Sequence, residues 1–198
     1  MFSQITPVVF NLMVINVIVF LGMMVLPEYT YYFKLVKNDW VLNRPYDGDL
    51  SLPLQVVTHF FNHSGFLHIG FNMLALSSMG SPVEHVLGSR RFLELYLFSG
   101  IIGGLLTATF DPSDVPVVGA SGAICGVLVA YAYLFPESKL SILFIPWGIA
   151  ARTFVLVFAG ISVALIVFPF DRIGISHFGH LAGMVGALIY FGIQRFMK

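Results

Sequence analysis

Six apolar stretches constrain what this chain can fold into more than any other feature of its sequence. They cover approximately residues 8–26, 66–87, 91–110, 118–135, 150–169 and 176–196. A helix needs about 20 mostly apolar residues to cross the hydrocarbon core of a bilayer, and each stretch is close to that length. The chain is only 10% charged, whereas soluble domains average about 25% charged residues. We therefore predict an all-α membrane protein, with six transmembrane helices in a single domain over residues 1–198.

The first stretch has an alternative interpretation as a signal peptide. It lies between Pro7 and Pro27, with no Lys or Arg before it and no small-x-small cleavage site after it. A signal peptide would have basic residues before its apolar segment and a cleavage site after it. We therefore interpret the stretch as a retained transmembrane helix.

The longest connection, approximately Pro27 to Gly65, mixes charged residues with aromatic ones in the segment EYTYYFKLVKNDW. That composition suits the membrane interface better than it suits either water or hydrocarbon. We expect this first loop to lie along the membrane surface and to be partly helical.

The basic residues of the connections predict the orientation of the chain. Those expected on one side are Arg90, Arg91, Lys139, Arg152, Arg195 and Lys198, and those expected on the other are Lys34, Lys37, Arg44 and Arg172. Three of the second group lie in the long first loop, so the short connections alone show a strong bias. The positive-inside rule then places both termini in the cytoplasm. The second, fourth and sixth spans would all begin at the outer face, with their early residues at similar depth.

Charge and cysteine content exclude several functions. The net charge is zero and there is no basic run, so the electrostatic signature of a nucleic-acid-binding protein is missing. Cys125 is the only cysteine, which rules out an intrachain disulfide and a metal site built from several thiolates. We predict no cofactor, no metal and no nucleic-acid partner, and we expect the lipid bilayer to surround the chain.

Ser121 lies between two glycines at the start of the fourth span, in the segment GASGAICG. A polar side chain in hydrocarbon is costly, which makes it a candidate for function. Packing is a strong alternative, because small residues let membrane helices approach closely. A ridge of such residues follows the serine at helical spacing: Gly122, Gly126 and Ala130.

The sixth span carries a second small-residue ridge in GHLAGMVGA, formed by Gly179, Gly183 and Ala187. Two such ridges favour close contact between the fourth and sixth spans. That contact would bring His180 within hydrogen-bond reach of Ser121, and a nucleophilic serine needs a base at that distance. His177 competes for this role, but His180 adjoins the ridge and is our preferred candidate.

His68 and Asn72 are four residues apart in the second span, so their side chains lie on one helix face. They could supply donors to a developing oxyanion, or they could hydrogen-bond each other or a neighbouring helix. The nearby aspartates, Asp111, Asp114 and Asp171, fall in predicted loops. We therefore predict a serine–histidine dyad in which packing, and not a carboxylate, orients the histidine.

Together these residues resemble the rhomboid family of intramembrane serine proteases over nearly the whole chain. The family's Gly-x-Ser-Gly is matched by residues 119–122, its His-x-x-Gly by residues 180–183 and its His-x-x-x-Asn by residues 68–72. A Gly-x-x-x-Glu-x-x-x-Gly pattern is matched by Gly80, Glu84 and Gly88. The resemblance implies a rhomboid-like bundle of six helices with a long interfacial first loop.

The resemblance also implies a mechanism. Ser121 would attack a peptide carbonyl, His180 would take and return the proton, and water would hydrolyse an acyl-enzyme. The Ser121 backbone N–H with the His68 and Asn72 side chains would form the oxyanion hole, and the motif glycines Gly119, Gly122 and Gly183 would support the site.

Substrates of the family are single-span membrane proteins, cut where small residues let the helix unwind. A peptide bond locked in a helix cannot present its carbonyl to the serine. The resemblance of the compact six-helix form to members of the family implies a bacterial inner membrane.

Two positions depart from the family pattern. An aromatic residue often follows the serine by four residues and stacks on the histidine, but here that residue is Cys125. His180 would then be less firmly oriented, or another ring would serve in its place. A Trp-Arg pair often precedes the second helix, where this chain has Leu54-Gln55. The resemblance further suggests that His63 contributes hydrogen bonds or a water path.

Other functions remain as alternatives. A catalytically inactive relative that binds membrane clients would typically lack the serine or the histidine, and both are present. A transporter would need charged groups within its spans.

A zinc protease would need His-Glu-x-x-His, but Phe60 occupies the glutamate position between His59 and His63. An aspartyl protease would need two aspartates within helices. Glu84 is expected to cap a helix or to pair structurally.

Overall fold

The computed structural model describes residues 4–35, 54–111, 116–142, 145–168 and 175–196. Helix α1, Pro7–Val25, is followed by a 3₁₀ turn at Pro27–Phe33. Helix α2, Gln55–Thr58, continues as a 3₁₀ turn at His59–Phe61. The later helices are α3 (Phe66–Ala75), α4 (Ser81–Leu87), α5 (Ser89–Phe110), α6 (Ser121–Leu134), α7 (Ala151–Val167) and α8 (His177–Phe196).

Each predicted span is helical over most of its length, but the second is not one regular helix. A π-helical segment, Leu76–Gly80, joins α3 to α4. Pro82 is the second residue of α4, and its missing N–H removes the hydrogen bond that would tie it to the preceding turn. The wider turn accommodates that loss. The proline, which an apolar-window argument ignores, therefore accounts for the irregularity.

The prediction of an all-α chain is wrong in one place, because two antiparallel strands join α6 to α7. Strand β1, Lys139–Ile142, pairs with β2, Ile145–Ala150, with Lys139 opposite Ala150. The segment is rich in isoleucine and other residues that favour strands. Gly148 has φ +69°, a conformation that favours glycine. The strands lead directly into α7, whose first N–H, that of Ala151, donates to the Ser138 carbonyl at 2.9 Å.

Length and composition make α1 and α5 capable of crossing a membrane, while α6 and α7 are apolar but shorter. Apolar side chains on the outside suit a lipid environment. Among them, Leu67 is 79% exposed and Leu156 is 72% exposed. Residues 36–53 of the predicted interfacial loop lie outside the described residues, as do the basic residues Lys37, Arg44, Arg172 and Lys198. The described ends of that loop contain the short helical segments before and after it.

Helices α5, α6 and α8 meet at glycines in the centre of the molecule. A Cβ added to Gly183 would overlap the carbonyl group of Gly122. A Cβ on Gly126 would overlap the side chain of Ser99, and one on Gly103 would lie 3.3 Å from the Gly183 Cα. The predicted close contact between the fourth and sixth spans is therefore confirmed, and α5 joins it.

We expect Gly183→Ala to destabilise the protein, because the added methyl group would meet backbone of α6 that no rotamer change can move. Overpacking of this kind costs about 1–3 kcal/mol, so thermal unfolding in detergent should shift down by several degrees. Gly192→Ala is a matched control on the same helix, since a Cβ there has nothing within 4 Å. It should be neutral or stabilising by about 1 kcal/mol through helix propensity. Equal unfolding temperatures for the two variants would contradict the packing argument.

Glu84 is buried, and its carboxylate caps the start of α1. It accepts hydrogen bonds from the N–H groups of Val8 and Val9, at 3.1 and 2.9 Å, and from the hydroxyl groups of Thr6 and Ser89. A negative charge at a helix N-terminus is favourable. The predicted capping role is confirmed, and the helix capped is α1, far from Glu84 in sequence.

Candidate active site

The chain turns into α6 at Gly119. This glycine has φ +113°, in the region that side-chain-bearing residues rarely adopt. Its N–H donates to the His59 carbonyl at 2.9 Å, and a Cβ on it would lie 2.6 Å from Cε1 of His68. A glycine is thus required both by the turn and by the histidine ring against it. Ser121 follows as the first residue of α6.

His180 lies one turn into α8. The hydroxyl of Ser176 accepts a hydrogen bond from the Gly179 N–H at 3.0 Å, as a cap of that helix does. The structure places Nε2 of His180 3.0 Å from the Ser121 Oγ. Because α6 and α8 touch at Gly122 and Gly183, backbone packing sets this distance. The ring of His177 lies edge-on to that of His180, with centroids 6.1 Å apart.

His68 and Asn72 face the same cavity as Ser121 and His180. The Nδ1 of His68 lies 3.0 Å from the Ser64 hydroxyl. Its other ring nitrogen, Nε2, faces the turn at Gly119. The Asn72 amide donates to the His68 carbonyl at 3.0 Å and keeps a second N–H. The two residues therefore do not bond through their side chains to each other, although that was one of the alternatives.

Donors converge near the serine from two elements. The first N–H groups of a helix have no partner within it and carry partial positive charge, and Ser121 is at that position of α6. The His68 ring packs against the same turn. A nucleophile, a base and anion-stabilising donors together can perform acyl transfer. Among the described residues, no group of three or more His, Cys, Asp and Glu side chains could hold a metal ion.

His59 and His63, which precede α3, are both buried at about 5% exposure. His59 donates from Nδ1 to the Gln55 carbonyl at 2.9 Å. The ring of His63 packs against that of His68, with centroids 5.1 Å apart. Burial lowers the pKa of His59 to about 4. Burial and the neighbouring His68 lower the pKa of His63 to about 4 as well. Both histidines are therefore neutral near pH 7, and His63 supports His68 by ring contact.

These pKa values predict an acid-sensitive fold. Between the ordinary histidine pKa of 6.5 and the folded value of about 4, the unfolded chain binds protons that the folded chain does not. The free energy of unfolding should therefore fall as the pH is lowered through that range, by up to about 3 kcal/mol for each histidine. Thermal unfolding at several pH values measures it. His63→Phe should weaken the dependence, while His85→Gln, at an exposed position, should retain it; identical profiles for the two variants would contradict the prediction.

The site lies in a cavity of about 1840 Å³. Its polar part holds the serine, the histidines and Asn72. Its remaining walls are mostly apolar and come from α3 on one side and α7 on the other, with Phe71, Leu74, Phe154 and Phe158 among the lining residues. The polar side chains of the cavity are thus reached through apolar surface.

The site includes a contact between Phe158 and His180 that no sequence motif predicted. Phe158 of α7 lies against His180, with ring centroids 5.4 Å apart and planes inclined by 33°. Cys125, at the position where the resemblance leads one to expect an aromatic residue, is buried within α6. The signal that could have suggested Phe158 is its spacing of four residues from Phe154, which places both rings on one face of α7.

Comparison with known proteins agrees with this architecture. The family model of the Rhomboid domain matches residues 53–195, which is well over half of the chain and includes every candidate site residue. The chain therefore belongs to the rhomboid family, and it is an integral membrane protein.

Individual relatives are similar over the same region. Rhomboid protein 1, mitochondrial, of Saccharomyces cerevisiae is 34% identical over 70% of this chain and 39% of its own length. Rhomboid protease GluP of Bacillus subtilis is 36% identical over 67% of this chain and 24% of its own length. The human presenilin-associated rhomboid-like protein, mitochondrial, is 32% identical over 76% of this chain and 38% of its own length. The chain thus matches less than half of each relative.

Proposed function

We propose that this protein is an intramembrane serine endopeptidase that cuts single-span membrane proteins in or next to their transmembrane helices. The observation that carries the proposal is the 3.0 Å approach of His180 Nε2 to the Ser121 Oγ at the polar end of an apolar cavity. Family membership favours this function over a transporter. The remaining alternative, an inactive relative that binds membrane clients, differs in chemistry and is decided by experiment.

The proposed reaction begins with attack by the Ser121 Oγ on the carbonyl carbon of the scissile bond. Nε2 of His180 accepts the hydroxyl proton, which requires the neutral ring with its own proton on Nδ1. The protonated His180 then gives that proton to the leaving amine as the C–N bond breaks. Water, activated by the same nitrogen, hydrolyses the acyl-enzyme and frees Ser121.

The oxyanion of each tetrahedral intermediate needs donors that are in place before the reaction. The N–H of Ser121, at the start of α6, is the first proposed donor. His68 Nε2 is the second, supported by the ring contact of His63 and by Gly119. The free amide N–H of Asn72 is the third. Gly122 and Gly183 act on the site by setting the separation of α6 and α8.

The apolar walls support a helical membrane segment as the substrate. Leu67 of α3 and Leu156 of α7 are largely exposed, so the cavity walls continue into the surface that faces lipid. A substrate helix can move along such a surface without exposing apolar groups to water. Its backbone must unwind next to Ser121, since carbonyls within a helix are already hydrogen-bonded.

We also propose a bacterial inner membrane location with both termini in the cytoplasm. The described basic residues Arg90, Arg91, Lys139, Arg152 and Arg195 lie at helix ends or connections expected on the inner side, in accord with the positive-inside rule. Reporter fusions at the two termini and at the α5–α6 connection test this topology. A terminus found outside the cytoplasm would contradict it.

The function is tested with purified protein in liposomes that contain a single-span reporter with small residues near one membrane face. We expect the wild type to cut the reporter and to be labelled on Ser121 by a fluorophosphonate, which reacts with activated serines. Ser121→Ala should do neither. Ser78→Ala, which changes another cavity-lining serine, is the matched control and should retain labelling.

The outcomes separate the alternatives. Labelling of Ser121 without cleavage of any reporter would preserve the hydrolase and overturn the proposed substrate class. Cleavage by Ser121→Ala equal to that of the wild type would overturn the assigned nucleophile. A folded wild type that neither cuts nor is labelled would show an inactive, client-binding relative.

A further inference from the structure

Among the described residues, the imidazole ring of His180 has a hydrogen-bond partner on one of its two nitrogens only. Its Nε2 faces Ser121, while its Nδ1 is buried and makes no hydrogen bond to any of the residues that the structure describes. In a serine–histidine–aspartate triad a carboxylate at Nδ1 fixes the ring orientation. In this chain the orientation must come from the groups that pack on the ring.

Within the part of the chain that the structure describes, two rings contact His180, and they do so differently. Phe158 lies across its face at a centroid distance of 5.4 Å and an inclination of 33°. His177 meets it edge-on at 6.1 Å and 87°. Because a face contact resists tilting of the imidazole away from the serine, Phe158 is the ring that limits this motion. Aromatic pairs at such distances have favourable interaction energies beyond area burial.

Helix α6 offers no ring of its own at this point. Cys125, one turn after Ser121, lines the same cavity with a side chain too small to cover the imidazole. On α7, Phe154 stacks on Phe158 at 6.0 Å and 23°. The two phenylalanines thus form a short stack that ends on the histidine.

Phe158 is half-buried, lines the cavity and packs against the edge of the hydrophobic core. The fully buried residues of α7 are Ala151 and Ser162. The phenyl ring therefore contacts both the core and His180, and the unfolding temperature of each variant separates a loss of packing from a loss of histidine alignment.

We propose that Phe158 is a positioning residue for His180, and that α7 supplies the ring support that Cys125 cannot supply from α6. The proposal rests on the proposed proteolytic function, in which His180 is the base. Phe158 does not touch the reacting atoms. It keeps Nε2 aligned with the Ser121 hydroxyl, so it contributes to the chemical step and not to substrate binding.

The test compares kcat and KM for reporter cleavage by the wild type, Phe158→Ala, Phe158→Leu and Phe158→Tyr. Loss of one aromatic face contact predicts a kcat lower by about threefold to tenfold for the alanine and leucine variants, with KM within about twofold of the wild type. Phe158→Tyr keeps the ring and should keep kcat. Val163→Ala, at an exposed position of α7 that does not line the cavity, is the matched control and should be unchanged.

The double variant Phe158→Ala with Cys125→Tyr moves the ring from α7 to α6 and should recover much of the lost kcat. Thermal unfolding of each variant excludes misfolding as the cause of a loss. A wild-type kcat for Phe158→Leu would overturn the proposal, because bulk alone would then suffice. A change confined to KM would also overturn it and would make Phe158 a substrate contact. If the wild type neither cuts nor is labelled, the proposed function fails first and the positioning role fails with it.

Discussion

Alanine at position 180 is expected to lower kcat for reporter cleavage by about 10⁴-fold or more, the effect of removing the base from a serine hydrolase. The physical reason is that the Ser121 hydroxyl would lose the acceptor 3.0 Å away and would remain a weak nucleophile. Single-turnover cleavage in liposomes and fluorophosphonate labelling both measure this loss of Ser121 reactivity.

His177→Ala is the matched control for this prediction, since it removes a histidine one turn away on the same helix. It should reduce kcat by less than about tenfold, because His177 meets only the edge of the His180 ring. The double variant Ser121→Ala with His180→Ala should be no worse than either single variant, as residues that act as a unit are not additive. A larger loss for His177→Ala than for His180→Ala would assign the base to His177.

His68→Ala is expected to lower kcat by about 10²–10³-fold, the usual effect of removing one oxyanion donor. Its ring packs against the turn before Ser121, so its loss removes a donor aimed at the position where negative charge develops. KM should change little, because the ground-state carbonyl is a weaker acceptor. Steady-state kinetics with the same reporter separate the two constants.

Asn72→Ala provides the comparison on the same face of α3. Its effect should be smaller than that of His68→Ala, because one of the two amide N–H groups is already committed to the His68 carbonyl. Ser64→Ala, which removes the hydroxyl 3.0 Å from His68 Nδ1, should fall between Asn72→Ala and the wild type. Equal kcat values for His68→Ala and the wild type would exclude His68 from the oxyanion hole.

The sequence predicted the helices well because hydropathy is a local property. Each span is helical over most of its length, and the glycine spacing of 122–126 and 179–183 predicted which two helices would touch. It did not predict the strands Lys139–Ile142 and Ile145–Ala150, since a short apolar run of this kind is also compatible with helix or loop. The π-helical turn before Pro82 was likewise missed, because the hydropathy of a segment does not reflect the backbone N–H that proline lacks.

The candidate site was predicted in part. The motif residues Ser121, His180, His68 and Asn72 were identified from their spacing, and the structure brings them to one cavity. Phe158 was not identified, because nothing in the 32 residues between Cys125 and Phe158 indicates that α7 passes the face of His180. The partner of Glu84 was missed for the same reason, since α1 is distant in sequence.

The sequence by itself determined that the chain is a bundle of apolar helices, which residues carry the rhomboid motifs, and which small residues permit close helix contact. These properties depend on composition and on spacing along one element. The tertiary structure decided that His180 and not His177 lies against Ser121, that Asn72 turns one N–H back to its own helix, and that Phe158 covers the imidazole. Those facts are distances between helices, and such distances follow from side chains packing together across the whole bundle.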